Sequence, residues 1–108
     1  MTELYHPTKL HLSEVLYALA DPSRLNLVRE LTQETEIAST DFRSVKAARG
    51  TIAFHLKVLR LAGITWTQIE GNRRLISLRR DKVDACFPGL LDAVLVRSGK
   101  FGSRPRIQ

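Results

Sequence analysis

The sequence predicts a mainly α-helical domain with one small β-hairpin, and three observations carry that expectation. Apolar residues recur at helical spacing in three stretches before residue 63. The period then changes to about two over ITWTQIEGNRRLISLR, residues 64–79. Helical spacing returns after it, in DKVDACFPGLLDAVLV. A chain of 108 residues is about one domain long, with room for a single modest core.

The elements follow in order. Val15, Leu16 and Leu19 set a helical stripe from Ser13 to near Ala20, and Leu12 extends it backwards. Asp21-Pro22 reads as a new start, with Asp21 capping and Pro22 at the first helical position. Leu25, Val28 and Leu31 line one face of that second helix. The polar segment TQETEIASTDF allows a short third helix around Glu36 to Thr40. Next comes KAARGTIAFHLKVLRLAGI, residues 46–64, where Ile52, Leu56 and Leu59 form a core stripe at i, i+4, i+7. Gly63 stands where this helix needs a left-handed C-terminal residue. Glu70-Gly71-Asn72-Arg73 reads as the turn of the hairpin. A last helical region begins near Asp81, breaks at Pro88-Gly89 and resumes with LLDAVLV. One domain over residues 1–98 is expected, followed by a flexible basic tail over 99–108.

Helices, then a hairpin, then more helix is the order of a winged helix-turn-helix. In that architecture the helix after the turn enters the major groove, and the hairpin reaches the adjacent backbone or minor groove. The distribution of charge along the chain is a second observation, independent of this order. Residues 1–42 carry −4, residues 81–108 carry +2, and residues 43–80 carry +8. That middle block has nine cations and one acid, Glu70, which is the footprint of a polyanion-binding surface. The plainer alternative is a solvated basic face. Both contact elements fall inside the block.

Three segments resemble the arsenic-repressor (ArsR/SmtB) family of bacterial regulators: LADPSRLNLVREL, FHLKVLRLAGI and EGNRRLISL. The first is similar to that family's second-helix segment, the second to the end of its recognition helix, the third to its wing. The likeness runs from about Ser13 to Leu95. It implies a homodimer, built on the first and last helices, that represses transcription at a promoter and is released by a chemical signal. The chain departs from the family where polar residues usually stand, at Gly50 and Ala53, and where a second histidine is frequent, at Phe54. The paired cysteines of metal-sensing members are absent from EIASTDF, and the last helix offers Asp92 without a histidine. No metal or other cofactor is expected.

The recognition-helix face therefore holds Gly50, Ala53, Phe54, Lys57 and Leu61, nearly bare of groups that read bases bidentately. A reader of shape and phosphates, with a small apolar base contact, fits this composition. Phe54, Ala53 and the Thr51 methyl would touch thymine methyls, Arg49 a guanine or a phosphate, and Gly50 would let the backbone come close. Lys46, Lys57 and Arg60 suit phosphates. Asn72, Arg73 and Arg74 form the wing, where an arginine can enter a narrow minor groove. The alternative puts Phe54 and Leu61 on a protein partner, with only non-specific DNA affinity.

The remaining candidates are simpler. His55 suits a packed or bonded histidine better than a base reader. His6, His11 and Cys86 have no spacing that defines a ligand set. Cys86 reads first as a small buried residue, and secondarily as a redox thiol. Leu12, Val15, Leu16 and Leu19, with Leu90, Leu91, Val94 and Leu95, are the candidate dimer seam. No phosphate-cradling glycine loop, Ser/His/Asp set or hydrolase motif occurs, so catalysis is not expected. No apolar run approaches the roughly 18 residues of a membrane span, and MTELYHPTKL lacks the order of a secretory signal. One cysteine cannot build an internal disulfide framework, and a cytoplasmic protein is expected.

Overall fold

The structure, a computed structural model, describes residues 4–96. Helix α1, Leu12–Leu19, leads into α2, Pro22–Leu31, and then strand β1, Ile37–Ala38. Helix α3, Arg49–Leu61, is followed by β2, Thr65–Glu70, and β3, Arg73–Leu78. Two short helices, α4, Arg80–Cys86, and α5, Leu90–Val94, complete the described chain. The tail over residues 99–108 lies outside it.

Local chemistry sets the boundaries. The Asp21 carboxylate accepts the Arg24 N–H at 3.0 Å, and Pro22 occupies the first turn of α2. Helix α3 ends in a double return: Gly63 N–H donates to the Arg60 carbonyl and Ile64 N–H to that of Leu59. Gly63 takes φ +86° to make this possible. The hairpin has a two-residue turn, with Glu70 opposite Arg73 and Gly71 at φ +64°.

The segment expected to form a third helix does not. Ile37 and Ala38 pair antiparallel with Ile76 and Leu75, giving a sheet of order β1-β3-β2. A β-branched residue beside a buried sheet edge gains ladder hydrogen bonds and burial, which one weakly apolar helical turn cannot match. Residues 39–48 then run without helix or strand, so α3 is entered from an irregular segment.

One core joins the five helices to β1 and β3. Val15 of α1, Leu27 and Val28 of α2, Leu59 of α3, Ile76 of β3, Val83 of α4 and Leu91 of α5 are fully enclosed. In α2 the inward face holds Leu27 with Val28 and Leu31, while Leu25 is only half-buried. No helix among the described residues is long and apolar enough to cross a membrane.

Candidate nucleic-acid interface

Helix α3 turns Leu56 and Leu59 inward, half-buries Ile52, and exposes Arg49, Gly50, Thr51, Ala53, Phe54, Lys57 and Leu61. The sparse face read from the sequence is thus an outer surface, with Phe54 at 55% exposure. Helix α3 has Ala48 at its N-cap, no side-chain cap and no acid in its first turn. Its N-terminal dipole and amides therefore face no anion of the α3 cap or first turn. A Cβ at Gly50 would meet nothing within 4 Å, so packing inside the chain does not require glycine there.

Between α3 and the sheet lies a groove of about 380 Å³. Gly50, Ala53, Phe54, Lys57 and Arg60 line one wall, and Thr67 and Arg74 stand on the other. No acidic side chain appears among its described lining residues. Burial, and then the neighbouring Arg74 charge, hold the Arg60 pKa below its ordinary value. Two cations that repel across a groove are both relieved by one phosphate between them. On the other flank of α3, Lys46 and Arg49 share a second groove with Ser39 and Thr40. Asn72 and Arg73 are exposed at the wing tip.

The cationic block is smaller in practice than its count suggests. Arg79 packs over the Trp66 ring at 5.2 Å and donates to the Pro7 carbonyl at 3.2 Å. Arg80 pairs with Asp84 and Asp92, and those two hydrogen bonds raise its pKa. Both arginines serve the fold, so the surface offered to a polyanion rests on the other seven cations of residues 43–80.

Two supports of this surface were not foreseen. An N-terminal strap crosses β2: His6 stacks on Trp66 with centroids 3.7 Å apart, and its Nε2 accepts the Thr67 N–H at 2.9 Å. Arg60 donates to the Tyr5 carbonyl at 2.6 Å, which ties the strap to α3. The other support is Glu30, whose carboxylate accepts the backbone N–H groups of Arg43 and Ser44 at 2.9 and 3.0 Å. It thereby pins the irregular segment that feeds α3.

Burial pushes the Glu30 pKa up, but the Ser44 hydroxyl, the two amides and the Arg43 charge outweigh it, and the net direction is down. A carboxyl lowered in the folded state contributes stability above its unfolded pKa, and that contribution disappears as pH falls through the folded value. Glu30→Gln should therefore flatten the acid limb of the stability profile below about pH 4.5. It should also speed amide exchange at Arg43 and Ser44 at neutral pH. An acid limb identical to the parent's would remove Glu30 as the anchor.

His55 is half-buried and accepts a bond from Arg24, in keeping with a bonded histidine rather than a base reader. Other candidate positions shift. Cys86, favoured as buried, is exposed, because α4 is short and buries Val83 only. Among the described residues no cluster of three or more His, Cys, Asp and Glu could hold a metal. In the candidate seam, Val15, Leu19 and Leu91 are enclosed in the chain's own core. Leu12 and Leu16 are 48% and 43% exposed on α1. Leu90, Val94 and Leu95 are half-buried. Phe54 and Leu61 line different grooves, Leu61 belonging to one between α1 and α3.

A three-stranded sheet behind an exposed helix, with a two-residue turn at its tip, defines a winged helix-turn-helix protein. The chain is similar to the crystal structure of an ArsR family transcriptional regulator, with a TM-score of 0.65 at 20% identity. That match covers 86% of this chain and 98% of the other. The ArsR-family fold is therefore the fold of this chain. An uncharacterized HTH-type transcriptional regulator of Bacillus subtilis (strain 168), YceK, is 31% identical over 84 residues, 76% of this chain and 84% of its own length. The chain belongs to the HTH-type transcriptional regulators. No protein-family model matches it.

Proposed function

We propose that this regulator is a homodimeric repressor that binds a palindromic DNA site, with α3 in the major groove and the β2–β3 hairpin on the adjacent backbone. The observation that carries the proposal is the groove between helix and wing that Lys57, Arg60 and Arg74 line, with no acid among its described lining residues. Phosphate contacts of this kind position a protein, while the apolar Ala53, Phe54 and Thr51 methyl supply a small thymine-directed reading. The exposed Leu12 and Leu16, one turn apart on α1, support a seam with a second copy. Two-fold symmetry then places half-sites about 34–36 Å apart.

Selection from random duplexes near physiological salt should recover a two-fold symmetric motif. Phe54→Ala should change the bases recovered more than it changes salt dependence. Binding that shows no motif and vanishes as salt rises would sink the specific-regulator proposal. It would favour the other use of this surface, a protein partner on the Phe54 face, which Phe54→Asp should then block.

A further inference from the structure

We infer that Arg24, which lines neither basic groove, fixes the pose of recognition helix α3 through His55; the consequence for DNA rests on the function proposed above. Arg24 is 6% exposed, a buried cation in the first turn of α2. No carboxylate among the described residues lies within ion-pair distance of it. A buried charge is retained only where its hydrogen bonds are met. Arg24 Nε donates to the Ala18 carbonyl at 2.7 Å and Nη2 to that of Tyr17 at 3.3 Å. These are carbonyls of the last turn of α1, the negative end of its dipole. The guanidinium also lies 5.3 Å from the Tyr17 ring centroid.

The remaining arm crosses to α3, where Nη1 stands 3.1 Å from His55 Nδ1. Arginine has no acceptor and keeps its protons, so Nδ1 must accept and the His55 proton sits on Nε2. One planar fork thus joins the end of α1, the start of α2 and the middle of α3. Lysine, a point charge on a flexible stem, cannot reproduce three directed bonds. His55 adjoins Phe54, with ring centroids 5.7 Å apart at 58°, so a shift of the joint moves the apolar reading side chain. Arg24 is a positioning residue.

The test compares Arg24→Lys, His55→Leu and His55→Gln with the parent in the full chain. Imidazole ¹⁵N spectra of the parent should show the single Nε2–H tautomer at His55, and a mixture in Arg24→Lys. Amide exchange over residues 49–61 should quicken in Arg24→Lys and His55→Leu. It should return toward the parent rate in His55→Gln, whose amide oxygen accepts from Arg24. Affinity for the selected duplex should fall about tenfold in the first two variants and stay within about threefold in the third.

Unchanged exchange in both disruptive variants, or a glutamine variant that behaves like leucine, overturns the inference. Should Arg24→Lys fail to fold, the His55 pair decides the matter alone. A parent chain that shows the fixed tautomer and protected α3, yet selects no duplex, overturns the regulator reading and leaves the joint supported.

Discussion

Replacing Lys57, Arg60 and Arg74 together by alanine should abolish most of the chain's attraction for duplex DNA while leaving the fold intact. Each phosphate contact removed flattens the dependence of log affinity on log salt by about 0.9, so the Lys57 contact and the one that Arg60 and Arg74 share should together take roughly 1.8 units per bound chain. In the groove these cations meet no acid among the described lining residues, and Arg60 and Arg74 repel one another. The free protein should therefore gain from their removal, or lose only the Arg60 tether to the Tyr5 carbonyl. Arg73→Ala at the exposed wing tip serves as the single-site comparison, with a loss near one unit. Salt titration of the triple variant on the selected duplex checks the expectation. A slope equal to the parent's would mean that DNA passes elsewhere, and the flank with Lys46 and Arg49 would be the next surface to alter.

Much of the frame that carries this surface was legible in the sequence because its determinants are local. Asp21-Pro22 caps α2, Gly63 ends α3, and the alternation through Ile69 and Leu75 gives the hairpin; each depends on neighbours within a turn or a strand. What escaped depends on distant partners. Ile37 and Ala38 become a strand only because Ile76 and Leu75 are waiting nearly forty residues later. A polar stretch carries no periodic trace of that pairing. Arginine at position 24 looks like an ordinary surface cation, and its burial follows from acceptors on two other helices. Arg79 and Arg80 count toward the basic block in the sequence, yet Trp66, Pro7, Asp84 and Asp92 hold them.

The terminal leucines show a further limit of reading periodicity. A helical stripe says that a face is apolar but not what covers it. On α1 the stripe divides: Val15 and Leu19 enter the core, whereas Leu12 and Leu16 remain outside. On α5 Leu91 is enclosed and Leu90 only half-covered. A seam with a second copy, as proposed, therefore has a narrower apolar strip than the sequence suggests, and the exposed Tyr17 beside it would extend the contact.

Gly63→Ala should be among the most destabilising single substitutions in the chain, although it removes no atom. At φ +86° an L side chain is strained, at about 1–2 kcal/mol. Its Cβ would also sit 2.6 Å from Leu10 Cδ1 and 2.8 Å from Leu10 Cγ. Since Leu10 is itself buried, relieving that overlap forces overpacking of roughly 1–3 kcal/mol more. Gly71→Ala is the matched control, because it shares the positive φ but has open space where the methyl would go. The unfolding midpoint should fall by roughly 4–8 °C for each kcal/mol lost, so Gly63→Ala should lower it by about twice as much as the control does. The damage should also reach the surface proposed to face DNA. Leu10 closes the strap whose Tyr5 carbonyl holds Arg60 and whose His6 covers Thr67, so displacing it loosens a groove cation. Thermal melts of the two variants, with a salt titration of each on DNA, separate these effects. Equal losses of stability would show that Leu10 yields freely and that the close approach at Gly63 constrains nothing.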